Sequence, residues 1–308
     1  LRVNRWGLIL QGVVIVFVRN TAIILNILDS VDLNSYPIDS ILPELKKAVF
    51  GNSSVVLHAP PGAGKTTQVP LALLDLIPAE KGRILMLEPR RIAAVSAARW
   101  MAKNLGEEAG RTVGYSIRFD RKVSEKTRIE VVTEGILTRR IQADPGLEGV
   151  AMVIFDEFHE RSLHADLALS LCLDLRRVLR EDLKILVMSA TLDCGPVASL
   201  LGGAPIISSE GKAFPVEERY FAGTRGQITV PGRVVDAVNT ALKETSGDIL
   251  VFLPGAGEIR ACAEALRAAL ERKDEVVSLH PLYGDLQFEE QERAILPSKT
   301  GRSCSLRI

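Results

Sequence analysis

The chain has 308 residues, enough for about two domains at the usual ~150 residues each. With 47% hydrophobic and 25% charged residues, 24 glycines and 15 prolines, its make-up is that of a globular protein, which excludes a disordered tail, a collagen-like rod and a coiled coil. Lys+Arg and Asp+Glu are both 38, so there is no overall positive field to hold a polyanion, and a bound strand would have to be met by a local groove.

The first 36 residues differ from the rest. Residues 8–18 are apolar apart from Gln11, and a second apolar run follows Arg19-Asn20. Neither run reaches the roughly 20 residues that span a bilayer. Arg2 and Arg5 ahead of an apolar stretch resemble a signal peptide, yet no small-residue cleavage site follows. Residues 1–36 are expected to be an atypical apolar extension, with no membrane partner.

From Pro37 the pattern becomes regular. Residues 55–58, 83–87, 129–132, 150–155 and 183–188 are short runs rich in Val, Ile, Leu and Met, separated by polar stretches or by stretches at helical spacing. Runs this apolar predict strands buried on both faces, as in a parallel sheet covered by crossover helices. Pro205, Gly211 and Pro215 interrupt the pattern, which places a boundary near 205–215. Beyond it, residues 248–253 and 276–279 read as strands and 234–244, 258–272 and 288–295 as helices. The expected class is α/β, with a first domain over 37–210 and a second over 214–308. Four scattered cysteines (Cys172, Cys194, Cys262, Cys304) show no metal-ligand spacing and predict a reduced, cytoplasmic chain.

Between a predicted strand and a predicted helix lies Ala59-Pro60-Pro61-Gly62-Ala63-Gly64-Lys65-Thr66. It fits the phosphate-binding pattern G-x-x-x-x-G-K-[ST] except that Ala59 replaces the first glycine. Gly62 and Gly64 let the backbone curl so that successive N–H groups face phosphate oxygens, and the following helix adds its positive end. Lys65 would bring a point charge to the β/γ-phosphates, and the Thr66 hydroxyl would be a Mg²⁺ ligand. ATP and Mg²⁺ are the expected cofactors.

Ninety-one residues after Lys65, an apolar run ends in Asp156-Glu157-Phe158-His159. At the carboxyl end of a parallel strand such a pair faces the ligand crevice. Asp156 would hold the Mg²⁺ shell and Glu157 would orient and deprotonate an attacking water. Zinc is the rival reading of His159-Glu160, but the next histidine, His164, is five residues on, about 140° around a helix, rather than the four of H-E-x-x-H.

These residues resemble the DExH box of superfamily 2 helicases. With Phe158 in the third position and Glu160-Arg161-Ser162 following, they are similar to the bacterial HrpB-type branch of the DEAH-like helicases. Glu88-Pro89-Arg90-Arg91 resembles motif Ia and Val132-Thr133-Glu134-Gly135 motif Ib. The resemblance implies that Arg90, Arg91 and Thr133 contact a single strand of RNA or DNA. Ser189-Ala190-Thr191 resembles motif III, implying that Ser189 and Thr191, with His159, couple the nucleotide site to that strand. Phe252-Leu253-Pro254-Gly255 and Leu282-Tyr283-Gly284 resemble the start of the second motor domain. The resemblance implies a RecA-like first domain followed by an incomplete second RecA-like domain, and no particular protein partner. Tyr115 and Phe119 are candidates for base stacking; core packing is the expected role of both.

The chain departs from the family pattern at its far end. Neither the coupling motif T-N-I-A-E-T-S nor the arginine-bearing Q-R-x-G-R-A-G-R is present. The expectation is a truncated product that binds nucleotide and hydrolyses it poorly. The alternatives are a different P-loop motor and a nucleotide-binding remnant without turnover. The last strand of the second domain is expected to expose an unpaired edge.

Overall fold

The computed structural model describes residues 14–17, 36–190, 193–210, 229–244, 249–271, 277–284, 286, 290–291 and 302–307. The chain divides into two units, one of Asn34–Phe214 and one joining Leu1–Leu33 to Pro215–Ile308.

Within the first unit, a 3-10 turn at Pro37–Ile41 runs into helix α1 (Leu42–Gly51). Strand β2 (Ser54–His58) is followed by α2 (Lys65–Leu73), β3 (Arg83–Leu87) and α3 (Arg91–Asn104). Next come β4 (Val113–Ile117), β5 (Asp120–Lys122), β6 (Ile129–Val132) and α4 (Glu134–Ala143). Strand β7 (Val150–Phe155), α5 (Leu163–Val178), β8 (Lys184–Ser189), α6 (Cys194–Leu200) and β9 (Ile206–Ser208) complete it.

The eight strands form one sheet in the order β5-β4-β6-β3-β7-β8-β2-β9. Every neighbouring pair is parallel except β4 with β5. The five apolar runs are five of its six interior strands, where helices cover both faces. On one face Leu85, Val132, Val153, Phe155 and Ile185 pack with Leu137 of α4 and Leu169 and Leu175 of α5. On the other, α3 lies against β4 and β6 and buries Ala94, Ala98 and Met101. This is the RecA-like arrangement. Its parallel strands bring the carboxyl ends of β7, β8 and β2 side by side on one rim of the sheet.

Three strands go beyond the apolar runs. β4 is interrupted by Gly114, where a Cβ would meet the Lys122 carbonyl oxygen at 2.3 Å, so the close approach of β5 demands glycine. β5 is a polar, exposed edge whose Arg121 and Lys122 discourage further pairing. β9 has only three residues and lies within the interval read as a boundary.

In the second unit, α7 (Val230–Glu244) and α8 (Ala256–Glu271) accompany β10 (Ile249–Phe252), β11 (Val277–Leu282) and β12 (Arg302–Arg307). The sheet order is β1-β10-β12-β11, where β1 is Val14–Phe17 of the extension, antiparallel to β10. Val238, Val251, Ile259, Leu266, Cys304 and Leu306 form its core. The last strand predicted for this domain, 276–279, falls in β11, which stands at the end of the sheet order with β12 as its one neighbour among the described residues. β12 lies between β10 and β11, parallel to both, because Cys304 and Leu306 alternate with polar residues and face the core. Most of the helix predicted at 288–295 falls outside the described residues. All four cysteines are buried and none forms a disulfide, and no helix among the described residues is long and apolar enough to cross a membrane.

Candidate functional site

The loop after β2 occupies the rim just described. Gly62 (φ 78°) and Gly64 (φ 93°) both take the left-handed conformation that side chains resist. Ala59 does not; it is buried with ordinary φ, and its N–H donates to the Ser189 carbonyl at 3.0 Å. That explains how alanine serves where the pattern has glycine. Helix α2 starts at Lys65 and points its positive end at the curl. Lys65 is 4% exposed, and its Nζ donates to Glu157 Oε1 at 2.9 Å.

Asp156 and Glu157 follow β7 directly. Asp156 is anchored by its N–H to the Leu87 carbonyl at 2.9 Å, and its Oδ1 accepts the Glu157 N–H at 2.8 Å. Burial pushes the Asp156 carboxyl up to about 6; the Thr66 hydroxyl and Lys65 charge oppose that rise, and the Glu157 charge adds to it. Its Oδ2 is buried with no hydrogen-bond partner among the described residues. A buried carboxylate oxygen left over beside a threonine hydroxyl is a donor set suited to a hard cation, so Thr66 and Asp156 fit Mg²⁺. Glu157 has φ 48° and Arg161 φ 46°, so a turn at Phe158–Glu160 is bracketed by two strained residues. The Phe158 ring anchors that turn by packing edge-on against Phe155.

His159 faces the end of β8. Its Nδ1 accepts the Ala190 N–H at 3.3 Å. The same nitrogen lies 3.3 Å from Glu157 Oε2. The acidic pair and the Ser189-Ala190 stretch are thus joined through one imidazole. Ser189 is fully buried; Thr191 lies outside the described residues.

Arg90, Arg91 and Thr133 lie on the same rim. Arg90 is exposed and pairs with Glu160 at 2.8 Å, and Arg91 opens α3 with its side chain exposed. Thr133 is the N-cap of α4, but its hydroxyl makes no cap hydrogen bond. Tyr115 is buried as expected. Phe119 is a correction: it is 90% exposed with φ 70° at the β4–β5 turn, with the Arg118 guanidinium 4.7 Å from its ring centre. A two-residue turn between paired strands leaves no core for that side chain to enter.

Glu88, just after β3, was named in the sequence only within the motif Ia resemblance and given no role of its own. It is 3% exposed. Burial beside Asp156, Glu157 and Glu160 pushes its carboxyl up to about 8, against a hydrogen bond from the Arg90 backbone. A carboxyl whose folded pKa lies above its ordinary 4.5 keeps its proton in the fold, so stability falls as pH rises from 4.5 to 8. Glu88→Gln should therefore melt like the parent near pH 5 and higher than it at pH 8.5. Melting curves that run parallel across that range would contradict this.

The DEAD/DEAH box helicase family matches residues 40–200. The ATP-dependent RNA helicase HrpB of Escherichia coli (strain K12) is 49% identical over 273 residues, covering 87% of this chain and 33% of that protein. The ATP-dependent RNA helicase HrpA of Borreliella burgdorferi is 35% identical over 264 residues, 84% of this chain and 32% of that protein. A crystal structure of Escherichia coli DEAH/RHA helicase HrpB superposes with a TM-score of 0.77 at 46% identity, over 89% of this chain and 34% of that one. The chain spans about a third of the length of these relatives.

Proposed function

Because the chain belongs to the DEAD/DEAH box helicase family, we propose that it is an RNA-directed, ATP-dependent motor segment that binds Mg·ATP in the crevice between the 59–66 loop and Asp156-Glu157. In this reading residues 37–210 form the ATP-binding RecA-like domain, 214–308 part of a second one, and 1–36 an atypical apolar extension ahead of them. The observation that carries it is the meeting of Lys65 and Glu157 at 2.9 Å, with the orphaned Asp156 Oδ2 beside them.

Thr66 and Asp156 would hold Mg²⁺, which when bound supplies positive charge to the phosphates. The loop N–H groups and Lys65 bind the phosphate oxygens. An arriving γ-phosphate competes with Glu157 for Lys65, and the freed Glu157 carboxylate can then take a proton from the attacking water. His159 relays its position to Ser189-Ala190-Thr191. Arg90, Arg91 and Thr133 meet the strand; for Arg90 that means exchanging Glu160 for a phosphate. The strand would be RNA, as it is for the ATP-dependent RNA helicases HrpB and HrpA that this chain resembles. Buried thiols agree with a reducing, cytoplasmic setting.

The arginines of Q-R-x-G-R-A-G-R are not among these 308 residues. Loss of such arginines typically costs on the order of 10³–10⁵ in rate, so this polypeptide is expected to bind Mg·ATP with very slow turnover. Equilibrium binding and phosphate release measured on the same sample test both halves. Absent binding would refute the site, and brisk RNA-stimulated release would refute the slow turnover.

A further inference from the structure

The segment that enters α1 lies on the phosphate loop from outside. Gly64 has φ 93°, and a Cβ there would sit 3.0 Å from Cβ, Cγ and Cδ1 of Tyr36. The Tyr36 ring therefore fills the space beside the glycine that ends the curl. Its other side meets Trp100 of α3 edge-on, with ring centres 6.0 Å apart. Two residues on, the Ile38 N–H donates to the Ala63 carbonyl at 3.0 Å, and the Ile38 side chain is fully buried.

That hydrogen bond has a directional consequence. In a planar trans peptide the carbonyl of one residue and the N–H of the next point opposite ways. Holding the Ala63 carbonyl from outside turns the Gly64 N–H inward, where a phosphate oxygen is to be met. The segment is itself fixed at three points. Asp39 Oδ2 accepts the Tyr36 N–H at 2.6 Å, the Asp39 N–H donates to the Tyr36 carbonyl at 2.9 Å, and the Ser209 hydroxyl donates to the Pro37 carbonyl at 3.4 Å.

We propose that residues 36–38 are a strap that holds the phosphate loop in its anion-binding curl, with Tyr36 as a positioning residue acting through Gly64. The inference rests on reading the crevice as a triphosphate site and adds that its shape is set from outside the loop. A strap acts on the backbone that meets phosphates, so it serves every triphosphate alike, whatever base is attached.

The test is calorimetric titration of the full chain with Mg·ATP, Mg·GTP and Mg·tripolyphosphate. Tyr36→Ala should weaken all three by a common factor of about tenfold. Tyr36→Phe, which keeps the ring on Gly64 and Trp100, should restore them to within about twofold. Unchanged affinities in Tyr36→Ala, with the parent binding normally, overturn the strap and leave the crevice intact. A loss confined to the two nucleotides also overturns it, because Tyr36 would then act on the base. A parent that binds none of the three removes the crevice reading and the strap together. If circular dichroism shows Tyr36→Ala unfolded, Tyr36→Leu carries the comparison, and parental affinities there overturn the proposal.

Discussion

Lys65→Ala should lower Mg·ATP affinity by at least about 100-fold, the equivalent of one or two charge-assisted hydrogen bonds, and leave the first unit folded. The two effects separate because of what surrounds the lysine. Its ammonium is 4% exposed with Glu157 as its ion-pair partner, and Glu157 is 26% exposed. Removing the lysine takes away a desolvated charge and leaves a carboxylate that water can reach, so the apo fold loses little. A triphosphate loses its point charge and also meets a more repulsive crevice, since Glu157 and Asp156 no longer face a cation. Titration calorimetry with parallel thermal melts reads both. An affinity within threefold of the parent would remove the assignment of the crevice, whereas a collapsed melting temperature would show the lysine to be structural.

Much of this site was legible beforehand because its chemistry demands residue types at set spacings. A curl that presents N–H groups needs glycines, a phosphate needs the lysine at the helix start, and a cation needs a carboxylate at a strand end. Five of the six interior strands were legible for a different reason: with both faces buried, they are built mostly of apolar side chains. What escaped is what depends on partners distant in the chain. Tyr36 packs on Gly64 across 28 positions, and nothing local marks it. Glu88 reads as part of a polar strand end, and only the fold gathers three further carboxylates around it. β12 was not among the predicted strands, because Cys304 and Leu306 are its only apolar residues and its place between β10 and β11 depends on strands earlier in the chain. Phe119 looked like core because aromatic residues mostly are; the tight turn between β4 and β5 decided otherwise.

Glu130, a further buried carboxylate that nothing local in the sequence marks, carries the largest expected effect on stability. It sits in β6 among Ile129, Val131 and Val132, and is fully buried. Arg140 grips it with two hydrogen bonds, at 2.9 and 2.6 Å, Arg83 adds one at 3.1 Å, and the Ser116 hydroxyl one at 2.7 Å. Burial pushes its carboxyl up, but the hydrogen bonds from Arg140 and Ser116 and the charges of Arg140 and Arg83 outweigh that and hold it at about 2. Glu130→Ala would leave two guanidinium groups facing each other without their shared anion. Breaking a buried pair in this way costs about 3–5 kcal/mol. The lower end applies here, because both arginines are about a quarter exposed and border a cavity of about 490 Å³ through which water can reach them. About 3 kcal/mol corresponds to a fall in melting temperature of roughly 6–12 °C for a unit of this size. The sign with pH follows from the depressed pKa. The stabilisation is complete above the ordinary 4.5 and disappears as pH falls through about 2, so the gap between parent and variant should narrow between those values. Melts of both proteins at pH 7 and pH 3 measure it; a gap under about 1 °C at pH 7, or one that does not shrink at pH 3, would show that the carboxylate is not what holds this corner of the sheet.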